Sequence, residues 1–260
     1  MPIVPWLAVL SAIVGAVIGS FVNVLVFRLH NHTRLWGRSR CLHCQTILRP
    51  HHLVPILSWV WLRGRCAACH RPIHWQYPAV EFLLAVLFAA TVLHHGSALS
   101  LSAVTSMIFT WTFFTVLVLL GTFDLRWKLL PIEVMTFSLI VFACWNVLRG
   151  GPSVTSMFIG VVVATVFLGG QVVISHGRWM GRGDPLLGML IGVALGWPLT
   201  GYALYFTYVG GGLLMLVLFL AGIVKRGERI PFAPMLGTGA VLALWLGPGL
   251  HRILHAWWVG

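Results

Sequence analysis

The chain has 260 residues, 59% of them hydrophobic and only 8% charged, with a mean hydropathy of +0.93. A soluble domain is about 45–50% apolar and about 25% charged, so this composition excludes an ordinary water-soluble fold, and several uncharged stretches reach the ~18 residues that cross a bilayer as a helix. The net charge of +12 reads as positive-inside bias and attraction to anionic headgroups. The basic residues are spread over short loops rather than gathered in one patch, which argues against a nucleic-acid partner.

Residues 1–27 carry no charge and end at Arg28, so the first span is expected at about Val4–Phe27. This run is too long for a signal-peptide core and lacks a basic leader, so no cleavable signal peptide is expected. Gly15 and Gly19 are four apart, a spacing that lets a second helix approach closely; general glycine enrichment in membrane helices explains them equally well. Residues 28–77 break the apolar pattern with eight arginines, seven histidines and four of the five cysteines. They read as a small extramembrane insertion. Further spans are expected near 78–94, 100–123, 130–148, 153–175, 185–200, 202–224 and 235–258. The expected fold is an all-α polytopic membrane protein of about eight transmembrane helices with a zinc-ribbon-like insertion. Its parts are a first helix (1–27), the insertion (28–77) and a seven-helix core (78–260).

Eight spans place alternate loops on opposite sides. One side then holds fifteen of the Lys and Arg residues and the other holds only Arg149 and Arg252. The positive-inside rule assigns the first set, with residues 28–77, to the cytoplasm. All five acids, Glu81, Asp124, Glu133, Asp184 and Glu228, then fall at or near cytoplasmic helix ends.

Cys41-Leu-His-Cys44 and Cys66-Ala-Ala-Cys69 are two C-x-x-C knuckles separated by 21 residues. Each pair brings two thiolates to one tetrahedral ion, and two pairs close a four-cysteine zinc site. Four sulfur ligands leave no open position, so the metal is structural, and it supplies folding energy to a segment too short and polar to build a core. A disulfide framework is the rival, and a reducing cytoplasm disfavours it. His43 and His70 are reserve ligands. Cys144, alone in an apolar span, reads as a small core residue.

Asp124 closes the third span and Asp184 opens the sixth. Two carboxylates that share a site cannot both ionise easily: one keeps a proton and the other acts as base toward a water. Simpler roles stand beside this one. Asp184 followed by Pro185 is a helix-start signature, and Asp124 is placed to pair with Arg126 or Lys128. Gly181 and Gly183 are expected to give the loop before Asp184 backbone freedom. Gly188, Gly192 and Gly196 offer a smooth face for helix packing. Glu81 is expected in the first turn of its helix, where a carboxylate favours the dipole; Glu133 and Glu228 read as interfacial acids. A transporter that uses the aspartates as a proton or ion site is a competing reading, but it predicts acids nearer mid-membrane.

Taken together, the motifs resemble those of the type IV prepilin peptidases, bacterial membrane aspartyl proteases. They include Gly19-Ser-Phe-Val-Asn23 through Arg28, the two cysteine knuckles, Ser58-Trp59, Leu62-Arg-Gly-Arg65 and Tyr77-Pro78-Ala-Val-Glu81. Asp124 with Leu130-Pro131, Gly183-Asp184 and Ile230-Pro-Phe-Ala-Pro234 complete the series. The resemblance implies that Asp124 and Asp184 are catalytic. It implies cleavage of the basic leader from type IV prepilin-like precursors at the cytoplasmic face of the bacterial inner membrane. N-methylation of the new N-terminus with S-adenosylmethionine, as many members perform, is part of the same expectation. Leu186 stands where the family usually has a lysine, and Leu42 where it usually has a proline. A degenerate relative that assists pilus assembly without catalysis is the other alternative.

Overall fold

The computed structural model describes residues 3–34, 36–96, 100–225 and 230–259. Arg226, Glu228 and Arg229 lie outside the described residues. The elements are α1 (Ile3–His30), a 3-10 turn (Pro50–Leu53), α2 (Leu57–Trp61), α3 (Gln76–His95), α4 (Leu101–Trp127) and α5 (Ile132–Arg149). They continue with α6 (Val154–Ile174), α7 (Asp184–Leu195), α8 (Leu199–Leu220) and α9 (Ala233–Val259). Among the described residues the only β pairings are two isolated bridges in the insertion. An apolar solvent requires each span to satisfy its own backbone, and helices do so.

Among the described residues seven helices are long and apolar enough to cross a membrane: α1, α3, α4, α5, α6, α8 and the Ala233–Ile253 part of α9. The expected sixth span is present as α7, but it has 12 residues. At 1.5 Å per residue that is about 18 Å, short of the roughly 30 Å hydrocarbon core. The chain turns at Gly196, whose φ is +66°, before α8 begins.

The chain divides into two compact units, residues 1–119 and 120–260. In the first, α1 packs along α3. Here Gly15 and Gly19 are used for contact: a Cβ at Gly19 would lie 2.6 Å from the Glu81 Cα, and one at Gly15 would collide with the Leu84 carbonyl. Buried Asn23 ties the far end of this pair, donating through Nδ2 to the Gly19 carbonyl at 3.2 Å and the Tyr77 carbonyl at 3.1 Å. Glu81 sits in the second turn of α3, not in the first-turn dipole position. Its buried carboxylate instead accepts the Ile56 N–H at 2.7 Å and bonds the Ser20 side chain, anchoring the insertion to the helix pair.

In the second unit α7 is buried along most of its length among α5, α6, α8 and α9. An all-round apolar helix belongs in such a place. Its glycine face meets α6 as expected. A Cβ at Gly192 would lie 2.6 Å from the Val161 nitrogen, and one at Gly188 would lie 2.6 Å from Leu168 Cδ1. The last carbonyls of α7, which no helix turn satisfies, receive the side-chain amide of Asn146: 2.8 Å to Val193 O and 3.3 Å to Ala194 O. This clamp holds the helix that carries Asp184. Cys144 is exposed on α5, not in the core. It occupies the outward face of a helix whose buried residues are Met135, Ser138, Phe142 and Asn146.

Candidate active site and metal centre

Asp124 lies three residues before the end of α4 and is 7% exposed. Its Oδ2 accepts the backbone N–H of Ala233 at 2.9 Å, and the Phe232 N–H also bonds the carboxylate. Ala233 is the first residue of α9. A helix N-terminus leaves N–H groups without intrahelical partners and carries partial positive charge, so it suits a carboxylate. The segment Ile230–Pro234 thereby has a role that the sequence did not disclose. The expected pairing of Asp124 with Arg126 or Lys128 is not its main tie: Lys128 contributes its charge, while backbone groups make the hydrogen bonds.

Asp184 is the first residue of α7 and is 5% exposed. The helix-cap expectation needs correction, because Gly183 occupies the cap position, with φ −83° and ψ −21°, and Pro185 is at the second position rather than the first. The Asp184 carboxylate folds back instead and accepts the Gly181 N–H at 2.9 Å. The glycines before it are also used differently from the expectation. Neither Gly181 nor Gly183 has a positive φ. They are needed for space: a Cβ at Gly181 would lie 3.2 Å from Asp184 Oδ2, and one at Gly183 would lie 3.2 Å from Leu130 Cδ1.

Asp124 and Asp184 lie close enough to interact by charge. Burial first, and the negative charge of Asp124 second, push the Asp184 carboxyl up to about 6 against the Gly181 hydrogen bond. Two carboxylates that share a buried site do not ionise together easily, which leaves one able to hold a proton while the other acts as base. Glu133 is exposed in the first turn of α5.

Two nearby side chains escaped the sequence reading. Tyr208 on α8 lies within reach of the Asp184 charge, and its ring packs edge-on against Phe232, with centroids 5.9 Å apart. Its hydroxyl is seated on the Gln171 amide, 2.6 Å from Nε2 and 2.9 Å from Oε1. The available signal was Gln171 itself, an amide in an otherwise apolar run of α6.

The insertion contains the candidate metal site. The Sγ atoms of Cys41, Cys44, Cys66 and Cys69 all lie within 4.8 Å of one another, and Cys41 Sγ is 3.9 Å from Cys69 Sγ. Tetrahedral zinc with bonds of ~2.3 Å needs sulfur–sulfur edges of ~3.8 Å, so the four thiols fit such an ion. The two knuckles repeat one geometry. Each is closed by an antiparallel bridge, Arg40 to Ile47 and Arg65 to Pro72. Each turns through a residue with positive φ four places after its first cysteine: Gln45 at 57° and His70 at 56°. Thr46 holds the Cys44 thiol low, at about 6, through its side-chain hydrogen bond, which favours the thiolate a metal requires. His43 and His70 are outside the ligand group.

Two family models match the chain: the Bacterial Peptidase A24 N-terminal domain over residues 13–95 and the Type IV leader peptidase family over residues 111–225. The prepilin leader peptidase/N-methyltransferase of Bacillus subtilis (strain 168) is 30% identical over 239 residues, covering 92% of this chain and 94% of that protein. The proteins of the same name from Aeromonas hydrophila and Stutzerimonas stutzeri are 29% and 28% identical. The first match covers 95% of this chain and 94% of the relative; the second covers 93% and 92%. No solved structure matches the chain.

Proposed function

The chain belongs to the type IV leader peptidase family, and we propose that it is a prepilin leader peptidase in which Asp124 and Asp184 are the catalytic pair. The observation that carries the assignment is the pairing of these two buried carboxylates, with Asp184 pushed up to about 6 partly by the charge of Asp124. In the reactive state Asp124, bonded to backbone N–H groups at the start of α9, is the ionised member, and Asp184, held up to about 6, is the member that has taken up the proton. Asp124 takes a proton from water as the water oxygen attacks the scissile peptide carbonyl, while Asp184 gives its proton to the carbonyl oxygen. Asp124 then passes its proton to the leaving nitrogen as the carbon–nitrogen bond breaks, and Asp184 recovers a proton from the collapsing intermediate.

The relatives' names join leader cleavage to methyl transfer. N-methylation of the new amino terminus from S-adenosylmethionine is therefore the second part of the proposal. Zinc, held by Cys41, Cys44, Cys66 and Cys69, would fold the insertion and leave no open coordination position for chemistry. The functional division is a first helix (1–27), a zinc-stabilised insertion (28–77) and a peptidase core (78–260). The proposed location is the bacterial inner membrane, and the positive-inside charge bias supports a cytoplasmic position for the insertion and both aspartates. The substrate is a type IV prepilin or pseudopilin with a short basic leader.

The test is cleavage of a prepilin by membranes carrying the wild type, Asp124→Asn or Asp184→Asn. Cleavage by the wild type alone is expected. Equal cleavage by all three would remove the aspartates from the mechanism, and no cleavage by correctly inserted wild type would remove the activity. Mass measurement of the same product scores the added methyl group.

A further inference from the structure

The insertion carries apolar surface that water would not tolerate. Leu57 is 67% exposed, Val60 60% and Trp61 81%, all on the short helix α2, and Trp75, just before α3, is 68% exposed. Soluble surfaces seldom gather large apolar side chains in this way. Tryptophans at the ends of spans commonly mark the headgroup layer of a bilayer.

The insertion is held at that depth. The Ile56 N–H, immediately before α2, bonds Glu81, five residues into α3, which is about 7.5 Å along that helix. The Asn23 amide bonds the Tyr77 carbonyl beside it. These ties set α2 level with the first turns of a spanning helix, not above it.

Beside α2 lies a cavity of about 620 Å³ lined by Trp61, Leu62, Arg63, Arg65, Cys66 and His70, with Ala67. The chain leaves α2 through Arg63 at φ 52° and Gly64 at φ 66°, and this turn brings both arginines to the cavity. Among the described residues, neither arginine side chain has a hydrogen-bond or ion-pair partner. Residues 28–77 contain eight arginines and no Asp or Glu, so the positive charge has no counterion within the segment.

We propose that this cavity binds the phosphate headgroup of an anionic phospholipid from the surrounding membrane. Arg63 and Arg65 hold the phosphate, and Leu57, Val60 and Trp61 lie in the interfacial layer beside the acyl chains. Arginine's fixed donor fork suits a phosphate, and juxtamembrane basic residues gain from anionic lipid. A lining that combines two arginines with Trp61 and Leu62 fits a lipid better than a soluble anion.

The test uses the full protein in detergent doped with phosphatidylglycerol or phosphatidylcholine, with bound lipid read by native mass spectrometry. The wild type is expected to retain phosphatidylglycerol and release phosphatidylcholine. Arg63→Gln with Arg65→Gln should weaken retention about thirtyfold, and Val60→Ser with Trp61→Ser should also weaken it. Arg63→Lys with Arg65→Lys should restore most of it, which separates loss of charge from loss of fold. Unchanged retention in the glutamine pair overturns the proposal. So does displacement of the lipid by inorganic phosphate at matching concentration, which would mark a soluble-anion site.

Discussion

Replacing Asp184 with asparagine should abolish cleavage and at the same time stabilise the protein. The unfolded carboxyl ionises near 3.8 and the folded one near 6. At low pH both states are protonated and the burial of Asp184 carries no electrostatic cost. As pH rises through this window the unfolded chain ionises first, so stability falls; above about 6 the loss is constant. Roughly two pKa units at ~1.36 kcal/mol each amount to about 3 kcal/mol lost at neutral pH. Asparagine keeps an oxygen for the Gly181 N–H, 2.9 Å away in the wild type, and removes the charge. For a chain of this size about 3 kcal/mol corresponds to a melting shift of roughly 6–12 °C.

The assay is thermal unfolding of the detergent-solubilised protein at about pH 7.5 and about pH 4, wild type against Asp184→Asn. The variant should melt higher near pH 7.5, and the difference should vanish near pH 4. A gain that persists at low pH would mean that the asparagine packs better for reasons unrelated to charge. No gain at neutral pH would mean that Asp184 is not held against its ionisation, and the acid role would fall.

Ala233→Pro removes the N–H that Asp124 accepts while placing proline where a helix tolerates it. A hydrogen bond to a charged group contributes about 1.5–3 kcal/mol, so kcat should fall roughly 10- to 100-fold with the helical circular dichroism unchanged. Gly192→Ala drives a methyl to 2.6 Å from the Val161 backbone and should destabilise the second unit by about 1–3 kcal/mol, seen as a lower melting temperature. Removing the metal, or changing Cys66 to Ser, should expose the insertion to protease between residues 36 and 75. The spanning helices should keep their far-UV signal, because they satisfy their backbones without metal. Tyr208→Phe deletes the hydroxyl seated on Gln171 and should change kcat and KM of leader cleavage unequally if that hydroxyl meets the substrate.

The helices were legible because membrane spans are written in composition, and the cysteine cluster because its ligands come in two spaced pairs. Loop counting puts Asp124 and Asp184 on one side of the membrane, where they can meet only if their helices are neighbours; the structure brings them within reach of each other's charge. Their partners were not legible. The Ala233 N–H is a backbone group 109 residues away from Asp124, and no side-chain pattern announces a backbone donor. Glycine misled in one place for a physical reason: small size and conformational freedom leave the same letter in a sequence. The spacing of Gly192 with its neighbours points to contact and the structure agrees, that of Gly19 leaves contact and mere glycine enrichment open, and Gly181 and Gly183 suggest freedom when they supply space beside a carboxylate and Leu130. A helix stands where the sixth span is expected, but it is too short to be one, and its length could not be read because Trp197-Pro198 continues the apolar pattern after the helix has ended at Leu195.

The short length of α7 has a consequence for the chemistry. Long spans carry both ends out to the polar layers, where water lowers the cost of a charge. A helix of about 18 Å is buried on nearly every face and fixed at its far end by Asn146, so it carries Asp184 at its other end to a site that is 5% exposed. Pinning the C-terminal end therefore fixes the depth of the carboxylate at the N-terminal end. Asn146→Leu would leave the Val193 and Ala194 carbonyls without the amide, and the resulting freedom should appear first as lost activity, before the packed glycine face with α6 yields and the fold is lost.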